Sequence, residues 1–334
     1  MNDFLESEKQ QQAKFKRNSR YFSDKASADG VYRSKPRPFC LPLGQAEENL
    51  FFEIRQNASA HFAAHNIKWH DGQNEKPSNH LCDSQVCCVN FLFPFANQPR
   101  ALATILRPIF PPIREVLPIE NGSYVTFEWI GKENYLCEKI SRNGQRTRGA
   151  NFTSADAVVM FDRTDEKRQV VLIEWKYTES YGGASLKVAK SGTDRTEIYK
   201  PIFRREDCPL NKDLLPSFDS LFIEPFYQFM RQQFLAHEME KAHELGADIV
   251  SVLHIAPAHN TDFRKVTSPR LAEIGETATD VWKKLVQTRD RFTSVSTEQL
   301  FGNLSIEQLP EMRAWLDYIC TRYTWVQAGK VKRK

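Results

Sequence analysis

The 334-residue sequence predicts a mixed α/β fold, one domain built on a central sheet, and three observations carry that prediction. Ala157 to Phe161 and Val170 to Ile173 are apolar at consecutive positions, which suits strands covered on both faces. Helical and extended patterns follow one another between Glu47 and Pro257 in the order helix, strands, helix, strand. Charged residues make up 26% and the hydrophobic set 41%, an ordinary globular balance that excludes wholesale disorder.

Residues 1 to 44 are polar and basic, broken by Pro36, Pro38, Pro42 and Gly44, and read as a short helix followed by an extended arm lying on the surface. From Glu47 to about Asn66, the positions Leu50, Ile54, Ala58 and His61 or Phe62 keep helical spacing, and Asp71-Gly72 marks a turn. Two shorter helices follow at 84 to 93 and 98 to 108, closed by Pro111-Pro112. REVLPIE and SYVTFEWIG read as strands separated by Asn121-Gly122, a dipeptide that favours tight hairpins. The two apolar strands come next, then a weakly periodic stretch of roughly 40 residues, long for a plain connection. Pro225 opens a helix in which Phe226, Met230, Phe234 and His237 keep the period, and Gly246 closes it. ADIVSVLHIAP is a buried strand stopped by Pro257, and His254 within it reads as a core histidine. A helix near 275 to 287, a strand RFTSVST and two helices from about 297 to 324 complete the chain.

No apolar run approaches the roughly 20 residues a bilayer span needs, and the amino terminus lacks the apolar core of a signal peptide. A cytoplasmic protein with no membrane partner is expected. The seven cysteines are an odd number with no CxxC pair, so neither a disulfide framework nor a zinc ribbon is indicated. His70, His80, Cys82, Cys87 and Cys88 cluster loosely in sequence but match no recurrent zinc spacing. Net charge is only +4, yet two basic patches stand out, one with Arg142, Arg146 and Arg148, the other with Lys187, Lys190 and Arg195. Gly182-Gly183 offers the second patch a hinge, and such a loop would clamp a phosphate backbone without reading sequence.

The apolar strands carry acids near their ends. If their hairpin is symmetric about Asp165, residues whose numbers sum to 330 face one another, and Asp156 faces Glu174. Opposed residues share a sheet face, and Lys176, two positions beyond Glu174, points to the same one. Two carboxylates that close repel unless a cation lies between them, and Mg²⁺ or Mn²⁺ answers that need. A solvated Glu174–Lys176 salt bridge is the plainer alternative.

These residues resemble the PD-(D/E)XK nuclease superfamily, whose core runs helix, three strands, helix, strand. Ser154-Ala155-Asp156, an apolar strand and then LIEWK look like its bipartite signature, with Ala155 where the name has proline. NFTSADA, EWKYTESYG and YQFMRQQFLAHEME resemble a branch of bacterial restriction-endonuclease-like proteins, a resemblance that runs from about Cys40 onward. It implies a restriction-endonuclease-like core of αβββαβ order, a mixed central sheet flanked by helices, with helical additions at both ends. The domains would then be an arm at 1–44, a core with helical and basic-loop insertions at 45–260, and an α/β extension packed on it at 261–334.

The resemblance further implies that Asp156, Glu174 and the main-chain carbonyl of Trp175 bind Mg²⁺, with Mn²⁺ as substitute, while Lys176 orients or activates water. A further acid from the first helix is expected, Glu48 or Glu47, with Glu53 and Glu128 as competitors. Gln228, Arg231 and Gln232 form a polar stripe on the later helix. Gln228 is the catalytic candidate there, and Arg231 joins the two basic patches as a nucleic-acid contact. The expected activity is Mg²⁺-dependent hydrolysis of DNA. A catalytically silent nucleic-acid-binding protein and an RNA-processing nuclease remain open, as does a homodimer or a defence-system partner protein.

Overall fold

The computed structural model describes residues 3–73, 75–140, 144–150 and 152–327. In chain order its main elements are α1 (Asp3–Asn18), β1 (Gly30–Tyr32), β2 (Lys35–Arg37), α2 (Arg55–Ala64), α3 (Ser84–Leu92), α4 (Pro99–Leu106), β3 (Ile113–Leu117) and β4 (Thr126–Trp129). Then come β5 (Ala155–Arg163), β6 (Arg168–Trp175), α5 (Thr196–Arg204), α6 (Phe226–Lys241), β7 (Ile249–Ala256), α7 (Ala278–Leu285), β8 (Phe292–Ser296), α8 (Thr297–Phe301) and α9 (Arg313–Arg322).

Six strands form one mixed sheet in the order β3-β5-β6-β7-β8, with β4 also pairing β5. The pairs that β5 makes are antiparallel, while β6, β7 and β8 run parallel, joined through α6 and α7. Side chains of β5 and β6 divide between the faces as two-sided burial requires. Ala157, Val159, Phe161, Val171 and Ile173 enter one core with residues of α3, α4, α8 and α9, while Val158, Met160, Val170 and Leu172 enter a second with residues of α6 and α7. A sheet covered by helices on both sides is a restriction-endonuclease-like α/β architecture. Among the described residues no helix is long and apolar enough to cross a membrane.

Three expectations change. Asn121-Gly122 does form a tight turn, with φ of 47° and 79°, but β3 and β4 do not pair as a hairpin. Both lie antiparallel along β5, β3 on Met160 to Arg163 and β4 on Ala155 to Val158, because β5 is long enough to hold both on one edge. The helix expected from Glu47 begins only at Arg55, since Leu43–Asn49 forms a 3₁₀ turn that carries Glu47 and Glu48. The expected short amino-terminal helix is α1, but neither it nor the arm after it simply lies on the surface: Gln12 and Lys16 of α1 and Cys40 and Leu41 beyond it are fully buried, and Lys16 Nζ donates to the carbonyls of Ala28 and Cys40 at 2.8 and 3.0 Å. The long stretch after β6 is partly structured and contains α5.

Candidate active site

Arg163 grips Asp165 through two bonds of 2.9 and 2.8 Å and shapes the β5–β6 turn. The ladder then pairs Asp162 with Arg168 and continues to Ala157 with Ile173, the register of a turn centred on Asp165. One step further along lie Asp156 and Glu174. The backbone N–H of Trp175 donates to Asp156 Oδ2 at 2.7 Å. Glu174 and Lys176 are 1% and 5% exposed, whereas Asp156 is partly open, so access to this end of the hairpin is from the Asp156 side. Lys176 Nζ lies 2.5 Å from Glu174 Oε1 in a buried ion pair.

The opposite edge of β5 brings a third acid. Phe127 pairs with Ala157 and Trp129 with Ala155, so Glu128 lies level with Asp156. Its φ of 50° is left-handed and interrupts the ladder for one residue, a conformation that costs a non-glycine residue about 1 kcal/mol or more. The buried Glu128 carboxylate accepts from Ser154 Oγ and Gln85 Nε2, each at 2.7 Å.

Three carboxylates therefore answer one ammonium. Burial, then the charge of Asp156, pushes Glu174 up to about 8 and Glu128 up to about 7. Asp156 is raised as well, by burial, against the pull of Lys176 and the Trp175 N–H. Burial works against the Lys176 charge, but Glu174, Tyr181 and Asp156 outweigh it and hold the ammonium well above its usual range. The site carries an excess of negative charge that an oxygen-seeking divalent ion would relieve, and the groups gathered at it are carboxylate oxygens and the Trp175 carbonyl. The acids stand as an open strip across β4, β5 and β6. A tighter trio of possible ligands lies elsewhere, at His61, His65 and Glu120.

Helices on both faces orient this strip. From α6, Gln232 donates to Glu174 Oε2 at 2.7 Å and to the Ser154 carbonyl. Gln228, one turn earlier, accepts from the Tyr181 hydroxyl at 3.3 Å, and its backbone N–H donates to Glu224. The contact of the polar stripe with the acids is thus Gln232, not Gln228. The first turn of α3 also points here: Asp83 caps it by accepting from the Val86 N–H, Ser84 Oγ donates to the Trp175 carbonyl at 3.3 Å, and Gln85 holds Glu128. The Trp175 carbonyl keeps a second lone pair. Beside Gln85 the ring of His70 lies 3.0 Å from Asp83, with most of its side chain exposed, and that bond raises it to about 9, so a histidinium stands close enough to act on Glu128 and Asp156.

Several expected residues are engaged elsewhere. Glu48 accepts from the Ser23 N–H and hydroxyl at 2.7 and 2.6 Å, Glu47 pairs with Lys76, and Glu53 is exposed, so of the expected acids the one that stands level with Asp156 is Glu128, from a strand. Arg146 donates to the carbonyls of Ile130, Gly131 and Lys132. Arg148 binds the carbonyls of Phe127 and Glu128, the Thr126 hydroxyl and both oxygens of Glu120. Arg231 donates to Thr153 Oγ1 and pairs with Glu138. These three guanidinium groups all hold partners within the chain. Arg195 donates to the Leu186 carbonyl and Lys187 pairs with Asp219, while Lys190 is exposed. Arg142 lies outside the described residues. The sequence reading missed Gln85, whose signal is an amide at the head of the largely apolar run SQVCCVNFL.

The mixed sheet, the helices on both faces and the acids at one end of its central hairpin define a restriction-endonuclease-like protein. The chain belongs to the REase-ARP family, described as restriction endonuclease associating with ARP, which matches residues 8–324. Membership points to a nuclease-like function. No curated protein and no solved structure matches the chain.

Proposed function

We propose that this protein is a metal-dependent nuclease of the PD-(D/E)XK type that hydrolyses phosphodiester bonds in DNA. The observation that carries the reading is the end of the β5–β6 hairpin, where Trp175 binds Asp156 and Lys176 pairs with Glu174 in an excess of negative charge. Asp156, Glu174 and the Trp175 carbonyl would hold Mg²⁺, with Mn²⁺ as substitute, and Glu128 takes the auxiliary place first assigned to Glu48. Bound there, the ion supplies Lewis acidity to the phosphate and lowers the pKa of a water molecule.

The residues of the chain do the rest. Lys176 stays an ammonium, so it acts as a fixed cation for the charge that builds on the phosphate rather than as a base. Gln232 and the Trp175 N–H hold the Glu174 and Asp156 carboxylates in place before substrate arrives. Water adds to phosphorus, the bond to the 3′ oxygen breaks, and the products carry a 5′ phosphate and a 3′ hydroxyl. The family description also leads us to propose a protein partner, the ARP with which the family associates.

The test is cleavage of single-stranded, duplex and branched DNA by purified protein with Mg²⁺ or Mn²⁺, beside Asp156→Ala. Metal-dependent cleavage that Asp156→Ala abolishes supports the reading, and a folded protein that cleaves none of these sinks it. Competition by RNA of the same sequence separates a deoxyribonuclease from an RNA-processing enzyme.

A further inference from the structure

His61 in α2 and His65 at its C-cap are four residues apart and share one helical face. Their ring centroids are 4.6 Å apart. The loop between β3 and β4 brings Glu120 against them, with Oε1 3.6 Å from His65 Nδ1, and one ligand atom from each of the three lies within 4.8 Å of the other two. All three side chains are half-buried. Among the described residues this is the group of histidine, cysteine and acid side chains that comes so close. The surroundings are built for it. The Thr126 hydroxyl donates to Glu120 and lies 3.4 Å from His61 Nε2, Asn121 Nδ2 lies 3.2 Å from His65 Nε2, and Arg148 donates to both Glu120 oxygens at 2.9 Å. A cavity of ≈ 400 Å³ opens beside them, lined by His65, Glu120, Lys132, Arg146 and Arg148 among others.

We propose that His61, His65 and Glu120 form a second cation site, for a divalent transition ion of the zinc, cobalt or nickel class. Two imidazole nitrogens and one carboxylate oxygen suit these ions and disfavour Mg²⁺, which prefers oxygen alone. At zinc bond lengths, tetrahedral ligand atoms lie about 3.3 Å apart, so the widest pair closes by about 1.5 Å, within the reach of side-chain rotation. Arg148 and Thr126 together use both lone-pair directions on Glu120 Oε2, whereas Arg148 alone uses one on Oε1 and leaves the other for the ion. The fourth position of the ion opens toward the cavity and takes water.

Such an ion fastens residues 118–125 to α2. Arg148 carries the clamp onward, since its Nε donates to the carbonyls of Phe127 and Glu128 at 3.0 and 3.2 Å and so sets the backbone of the auxiliary acid. The site is structural and does not depend on the nuclease reading.

The experiment uses the full chain carrying Asp156→Asn, which removes a ligand of the proposed Mg²⁺ site. After chelator treatment it is titrated with Co²⁺ and followed by visible absorption, with Zn²⁺ and excess Mg²⁺ as competitors. The expected result is one equivalent of Co²⁺, displaced by Zn²⁺ and not by Mg²⁺, with a rise in Tm on metal addition. The signal should be lost in His61→Ala/His65→Ala and weakened in Glu120→Gln, each checked for native circular dichroism. Absence of Co²⁺ binding in the parent, or binding that survives in a folded histidine double variant, overturns the proposal. Failure of DNA cleavage leaves it standing, so the two readings fall separately.

Discussion

At the scale of the residue, Lys176 is the sole ammonium set against Glu128, Asp156 and Glu174, and its removal is not symmetrical with theirs. Lys176→Met leaves buried carboxylates uncompensated and should cost about 3–5 kcal/mol, besides lowering cleavage by about a thousandfold. Asp156→Asn keeps an acceptor for the Trp175 N–H while removing one repelling charge, so cleavage is lost while Tm rises by a few degrees. Thermal melts of both variants check this, and equal destabilisation by the two contradicts the excess-charge account. The same excess fixes a pH dependence. Glu174 and Glu128 titrate above their usual 4.5 when folded, near 8 and 7, so the folded chain binds more protons than the unfolded one between those limits. His70, raised to about 9, acts in the same direction, whereas the half-buried His61 and His80, lowered to about 4 by desolvation, oppose it only below about 6.5, the usual histidine value. Without divalent metal, Tm should therefore fall as pH rises from about 6.5 to 8, and Mg²⁺ should remove most of the fall. Calorimetry in chelator and in Mg²⁺ reads both slopes, and a metal-free Tm that climbs over this range contradicts the argument.

At the scale of the element, α6 and β4 present the site and were not equally readable. Gln232→Leu should lower kcat/KM by roughly ten- to a hundredfold, the usual effect of losing a partner that orients a metal ligand, and Gln228→Leu by less. Steady-state cleavage rates decide, and a larger loss at Gln228 restores the role the sequence suggested. Helical period identified the stripe but not which amide touches the acid, because one turn of translation is set by packing. The β5–β6 hairpin was legible to the residue, since a turn centre and a period of two are local rules. The placement of β4 was not, because Asn121-Gly122 promised a hairpin while the free edge of β5 offered longer pairing to both segments. The basic patches were legible only as charge. Sequence counts guanidinium charges but not the carbonyls and buried acids that receive them. Arg148→Lys keeps the charge and loses the fork across the Phe127 and Glu128 carbonyls and Glu120, so it should cost about 2 kcal/mol, read from the urea midpoint. An unchanged midpoint means that Arg148 does not hold β4.

At the scale of the whole molecule, α1 and α9 close on each other behind the end of β6. Arg322 of α9 is fully buried, and its guanidinium donates to Gln12 Oε1 at 3.0 Å, to the Asn49 carbonyl and the Tyr318 hydroxyl at 2.6 Å each, and to the Leu81 carbonyl at 3.1 Å. Gln12 in turn donates to the Arg322 carbonyl and to Tyr177, the neighbour of Lys176, while the Tyr177 hydroxyl donates to Glu8. A polar network so enclosed is tolerable only when complete, because each orphaned group loses water without gaining a partner. Terminal segments that read as decorations from composition are therefore part of the core that supports β6. Arg322→Met should destabilise by about 3–5 kcal/mol, a fall in Tm of roughly 10 °C. A chain of residues 19–334 should lose its cooperative melt, since it exposes Phe15's partners and strands Arg322, Tyr177 and Lys16's carbonyl acceptors at once. Differential scanning calorimetry of the shortened chain beside the full one decides the point. A transition of equal temperature and enthalpy makes α1 the dispensable arm its composition suggests, whereas its loss makes the amino-terminal helix a structural member of the nuclease-like core.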